Sequence, residues 1–176
     1  LSDPVKQILR FILFTLVQGL ILSHIPPIHR FITPYLYYLF LLWLPFSTSR
    51  TALLIWGFFT GFVLDLFMQT PGLHASACLL VAYLRPMLVN LLMPGEAKDL
   101  ASGSPNIRSM GFSAYAVFVL VLTLFHHAWL VLLEWMSFGS LLFFVGKVTS
   151  STAISLMLVL VAELLFRPVR RSNARR

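Results

Sequence analysis

Apolar residues in this chain gather in long, nearly continuous runs rather than alternating or returning every third or fourth position. The runs cover 8–25, 31–46, 52–70, 75–93, 110–135 and 148–166, and each is closed by a short cluster of Pro, Gly or polar residues. A helix needs about 20 apolar residues to cross the hydrocarbon of a bilayer, and a helix apolar all round has no water-facing side. The pattern therefore predicts an all-α bundle of six transmembrane helices forming a single domain over 1–176, with a basic tail at 167–176. The second run is the shortest. It carries Pro34 and Pro45, which predict a kinked or tilted span, and its Tyr35, Tyr37, Tyr38 and Trp43 suit an interfacial belt.

The turn at 71–74 is too short to do anything but fold 52–70 and 75–93 into a tight hairpin. The stretch 94–109 is the one long polar connection. The fifth run is long enough to tilt or to project past the bilayer. The segment 136–147 is too short to cross alone, and reads as an interfacial helix, a re-entrant helix or the start of the last span.

Composition agrees. Charged residues make up 11% of the chain and hydrophobic ones 59%, whereas a soluble domain carries about 25% charged residues. The net charge of +7 is concentrated at one end, where Arg167, Arg170, Arg171, Arg175 and Arg176 follow an apolar run directly. That placement points to cytoplasmic anchoring and anionic lipid rather than to nucleic acid. With six spans, Lys6, Arg10, Arg50, Arg85, Lys98, Arg108 and the tail arginines share one side, against Arg30 and Lys147 on the other. Both termini are expected in the cytoplasm. Lys6 and Arg10 ahead of an apolar run resemble a signal peptide, but no small-x-small cleavage site follows, so a retained span is expected. The single cysteine, Cys78, lies inside an apolar run and reads as a packing residue.

The chemistry lies in the polar residues that interrupt the runs. Asp65 sits roughly 10 Å from the 71–74 turn by helical rise. Exposed to lipid it would cost several kcal/mol, so it should face protein or water. Gly57, Gly61 and Asp65 are spaced by four and share a face, with the glycines allowing close backbone approach and the acid fixing its register. His126 and His127 lie at comparable depth to Asp65, and His74 lies just across the turn. A histidine near the outer face is therefore the expected partner of Asp65. Arg85 lies about 20 Å from the turn and should snorkel inward toward Glu163. Pro71 and Gly72 end one helix and reverse the chain. His74 then starts the next helix, as a cap or as a contact on the outer surface. Pro86 kinks or interrupts the fourth run.

No metal-binding helix motif, nucleophile elbow or phosphate loop is present, and His126 and His127, being adjacent, point to different faces. An enzyme is not expected, nor is a metal or a cofactor.

The stretch 57–86, with its glycine-spaced helix, the acid in "LDLF", the turn "PGLHA" and the helix ending "YLRP", resembles the rod shape-determining protein MreD family. The length, six apolar runs, short first loop and basic tail are also similar. The resemblance implies a fold like that of the substrate-binding subunits of energy-coupling-factor vitamin transporters. It also implies a non-enzymatic scaffold in the bacterial inner membrane. Such a scaffold binds MreC and works with other rod-complex membrane proteins to organise lateral peptidoglycan synthesis and keep cells rod-shaped. Gly61, Asp65, Gly72, His74, Arg85 and Pro86 carry over without catalytic chemistry. The alternative is a substrate-binding subunit of a vitamin-type transporter. A roomy polar cavity lined by residues such as Asp65, His74 and His127 would mark the transporter. A filled interior with an apolar face for a partner helix, using the small-residue surfaces and aromatic rim, would mark the scaffold.

Overall fold

The computed structural model describes residues 3–24, 32–95, 103–134 and 140–166. The expected 167–176 tail and much of the 94–109 connection lie outside the described residues. What is described is helical, with no strand. Helix α1 covers Asp3–Leu16 and runs on through a widened turn, Val17–Ile21, and a tight one, Leu22–His24. Then come α2 (Leu39–Leu42), α3 (Arg50–Met68), α4 (Leu73–Leu92), α5 (Ile107–Met110), α6 (Phe112–Glu134) and α7 (Leu141–Phe166).

Among the described residues, five helices are long and apolar enough to cross a membrane: Pro4–His24, Arg50–Met68, Leu73–Leu92, Phe112–Glu134 and Leu141–Phe166. Their number and composition suit a multi-pass membrane protein. The last resolves the reading of 136–147 from Leu141 onward, because 141–147 is the beginning of α7. Lys147 pairs with Glu134 at the end of α6, so the first turns of α7 run past that pair.

The second apolar run does not make a transmembrane helix. Its described part is extended from 32 to 36, turns, and holds only the four residues of α2. Pro34 and Pro45 bracket it; each lacks an N–H and restricts the residue before it. Tyr35, Tyr37, Tyr38 and Trp43, expected at an interfacial belt, are instead buried, with residues 37–43 at 0% exposure. The segment threads the middle of the bundle. Near its beginning Tyr35 meets Ser155 of α7, and near its end Trp43 meets Glu163. It runs antiparallel to α1: Gln18 bonds Pro34 and Leu36, while Phe14 and Arg10 lie against Trp43. The chain thus returns from the end of α1 toward the level of its start without using a long helix.

Non-helical backbone at membrane depth survives only where protein satisfies its polar groups. Here side chains from the surrounding helices do so. The Gln18 amide donates to the Pro34 carbonyl at 3.2 Å and accepts the Leu36 N–H at 2.8 Å. Ser151 and Ser155 accept the N–H groups of Thr33 and Tyr35 at 3.2 and 3.0 Å. The Arg85 guanidinium donates to the carbonyls of Leu44 and Pro45. The widened turn of α1 falls where Gln18 turns inward, a common place for an extra residue in a helix.

Helices α3 and α4 form the hairpin read from the turn. Ser49 caps α3 by accepting the Ala52 N–H at 3.2 Å. At the other end Gln69 takes a left-handed conformation (φ 56°) and Gly72 another (φ 83°), which together reverse the chain. The glycine face of α3 lies on α4. A Cβ on Gly61 would come within 2.3 Å of Ala75 Cα and of the His74 carbonyl oxygen. One on Gly57 would come within 2.9 Å of Ala82 Cβ and 3.0 Å of the Cys78 carbonyl oxygen. Bare backbone is what permits this approach. Pro86 is accommodated inside a continuous α4, as membrane helices allow.

Candidate functional site

Asp65 projects from the last turns of α3 toward the start of α4. The N-cap position of α4 is Gly72, which has no side chain to satisfy the first N–H groups of the helix. Asp65 supplies that cap from the neighbouring helix: Oδ1 accepts the His74 N–H at 2.9 Å and Oδ2 accepts the Ala75 N–H at 3.0 Å. The positive end of the α4 dipole favours an acid there. Thr70 donates its hydroxyl to Oδ1 at 3.1 Å, and its N–H bonds the Asp65 carbonyl at 3.1 Å. The ring of His74 completes the clamp, with Nδ1 2.9 Å from Oδ1. Asp65 is 4% exposed and His74 1%. The expected histidine partner is therefore His74, and its role is internal; the alternative placement on the outer surface is corrected by its burial. Pro71 stays exposed on the turn.

Beside the clamp lies a second polar cluster, centred on the threaded segment. Tyr37 Oη is 2.8 Å from His126 Nε2, and Tyr38 Oη is 2.9 Å from Thr123 Oγ1. His127 bonds the Thr123 carbonyl through Nδ1 at 2.8 Å and Ser155 through Nε2 at 3.0 Å. The Tyr38 and His126 rings stack at 4.5 Å. Tyr35 meets the rings of His74, His126 and His127 edge-on at 5.5–5.9 Å. His126 and His127 thus serve different neighbours, as their adjacent positions on one helix require, and neither bonds Asp65. Every ring in the cluster is buried, and the cluster cross-links α4, α6, α7 and the threaded segment.

The third cluster lies toward the other end. Glu163 accepts hydrogen bonds from Trp43 Nε1, at 2.8 Å, and from the Tyr115 hydroxyl. The Arg10 guanidinium lies 5.7 Å from the centroid of the Trp43 ring, within cation–π range. The expected Arg85–Glu163 pairing is not formed. Arg85, 2% exposed, donates Nη2 to the carbonyls of Leu44 and Pro45, while its Nε is buried without a hydrogen-bond partner. The reason is the threaded segment, whose non-helical carbonyls need donors at that depth.

Sequence reasoning missed Gln18, Thr123, Ser151 and Ser155, which hold this segment. Their signal was present as polar residues inside apolar runs, Ser150, Ser151, Thr152 and Ser155 most visibly. Among the described residues, no three His, Cys, Asp or Glu side chains converge as metal ligands would. No family model, no curated protein and no solved structure matches the chain.

Proposed function

We propose that this chain is a non-enzymatic membrane scaffold of the bacterial cell-elongation (rod) complex. In that reading it binds MreC and helps organise lateral peptidoglycan synthesis and maintain rod shape. It is a multi-pass protein of the inner membrane with both termini in the cytoplasm, and its fold is related to the substrate-binding subunits of energy-coupling-factor transporters. The MreD resemblance over 57–86 names the system. The threaded segment acts as the sixth crossing in this account, which keeps the even number of passes that the lopsided basic residues call for.

One observation carries the choice of scaffold over transporter. The centre of the bundle, where a vitamin-sized solute would have to sit, is filled by Tyr35, Tyr37, Tyr38 and Trp43, all at most 4% exposed. A binding site is concave and open to its ligand; here both Asp65 oxygens and His74 Nδ1 are taken by the clamp, and His127 bonds the Thr123 carbonyl and the Ser155 hydroxyl, while His74 Nε2 is buried without a hydrogen-bond partner. The recognition surface must then be external. The glycine face is unavailable, because α4 occupies it. Exposed apolar stripes also run along α1, α6 and α7; this reading assigns recognition to the opposite stripe of α3, where Ile55, Phe58, Phe59, Phe62 and Leu66 are 41–59% exposed at the spacing of one helical face. That stripe can receive the transmembrane helix of MreC.

The test is copurification. Tagged chain extracted in mild detergent should retain coexpressed MreC. A monodisperse chain that retains none, or that instead binds a vitamin-like solute stoichiometrically, would contradict the scaffold reading.

A further inference from the structure

We propose that the cleft between the start of α3 and the second half of α4 holds one anionic phospholipid, its phosphate on Arg50 and an acyl chain along the cleft. Arg50 is the first residue of α3 and exposed, and its guanidinium has no hydrogen bond or ion pair among the described residues. It stands at the mouth of a space of about 130 Å³ walled by Leu54, Ala82, Tyr83, Pro86 and Met87. The remaining wall is apolar apart from the Tyr83 hydroxyl. Tyr83 and Met87, 62% and 54% exposed, flank its open side, so the cleft opens sideways on the outer surface of the bundle.

Three features converge on a lipid. Arg50 ends a 19-residue apolar helix, which sets its guanidinium at the level of lipid phosphates. A guanidinium binds phosphate through paired hydrogen bonds, and this one has no acid partner among the described residues. The cleft then descends from the charge into apolar depth. Gly57 packs beside Ala82, seven residues along from Arg50, a rise of about 10 Å. A soluble anion would gain nothing from such a wall, whereas an acyl chain attached to the phosphate follows it. Ala82 opposite Leu54 leaves the width.

The experiment is native mass spectrometry of the full chain, titrated with phosphatidylglycerol or with phosphatidylcholine of the same acyl chains. The chain should retain one phosphatidylglycerol in preference to phosphatidylcholine. Arg50→Gln should weaken phosphatidylglycerol binding about fivefold, the scale of one cation at an anionic surface. Arg50→Lys should keep most of the preference, and Arg108→Gln, which removes an exposed arginine on α5, should keep all of it. Leu54→Trp, which fills the cleft from its other wall, should lose the bound lipid even if Arg50→Gln proves too unstable to measure. Unchanged phosphatidylglycerol retention in Arg50→Gln or Leu54→Trp would overturn the proposal. So would an equal loss in Arg108→Gln, or full displacement of the lipid by inorganic phosphate.

Discussion

Oδ1 of Asp65 lies 2.9 Å from the backbone nitrogen of His74 and 2.9 Å from Nδ1 of its ring. One carboxylate oxygen thus holds both the start of a helix and the side chain that helix carries. The acid that interrupts an apolar run is a cap supplied across the hairpin, because the residue at the capping position is a glycine needed for the turn.

Replacing that acid should loosen the hairpin without preventing insertion. Asp65→Leu leaves the N–H groups of His74 and Ala75 without acceptors, at about 1–3 kcal/mol for each buried group left unmade. Asp65→Asn keeps one acceptor oxygen but turns a donor toward the second N–H, so it should cost less than Asp65→Leu, about 1–3 kcal/mol in all. Unfolding midpoints in mixed detergent micelles check the order; equal midpoints for wild type and Asp65→Leu would contradict the clamp.

The two glycines of α3 should differ in how they tolerate a methyl group. At Gly61 the new atom meets backbone at 2.3 Å, and at Gly57 it meets a methyl at 2.9 Å and a carbonyl oxygen at 3.0 Å. Overpacking costs typically 1–3 kcal/mol, so Gly61→Ala should lie at about 3 kcal/mol or above and Gly57→Ala near the lower end. Thermal melts of the purified variants measure this, and a Gly57→Ala variant less stable than Gly61→Ala would show that the helices meet elsewhere.

Two hydroxyls on one turn of α7 should behave oppositely. Ser155 accepts the Tyr35 N–H and meets His127 Nε2, so Ser155→Ala should cost about 1–3 kcal/mol. Thr152 Oγ1 is buried without a hydrogen-bond partner, so Thr152→Val should be neutral or slightly stabilising. A costly Thr152→Val beside a silent Ser155→Ala, in the same denaturation assay, would mean that the threaded segment is not held from α7.

Much of this architecture could be read from residue order. Apolar runs placed five long helices within a few residues of their ends, apart from the extension of α7 to Leu141. The spacing of Gly57, Gly61 and Asp65 identified the packed face, and Pro71-Gly72 the turn. What could not be read was the fate of 31–46. Its apolarity is that of a span, yet its two prolines and three tyrosines give up helix in favour of contacts that exist only after α1, α4, α6 and α7 have assembled around it. The Arg85–Glu163 expectation failed for the same reason: depth along a helix was judged correctly, but the carbonyls of Leu44 and Pro45 that claim Arg85 belong to a segment assumed to satisfy itself. Tyr35, Tyr37, Tyr38 and Trp43 were assigned to an interface on residue type alone, and tertiary burial overrode that tendency.

With the interior filled and the glycine face spent on α4, the proposed function assigns partner recognition to the outer stripe of α3. The most direct measurement is site-specific photocrosslinking in cells that coexpress MreC, with a benzophenone amino acid at Phe62 on α3 or at Leu160 on α7, both exposed. The account predicts an MreC adduct from Phe62 and none from Leu160. An adduct from Leu160 alone, or none from either position while the chain is inserted and stable, would contradict it.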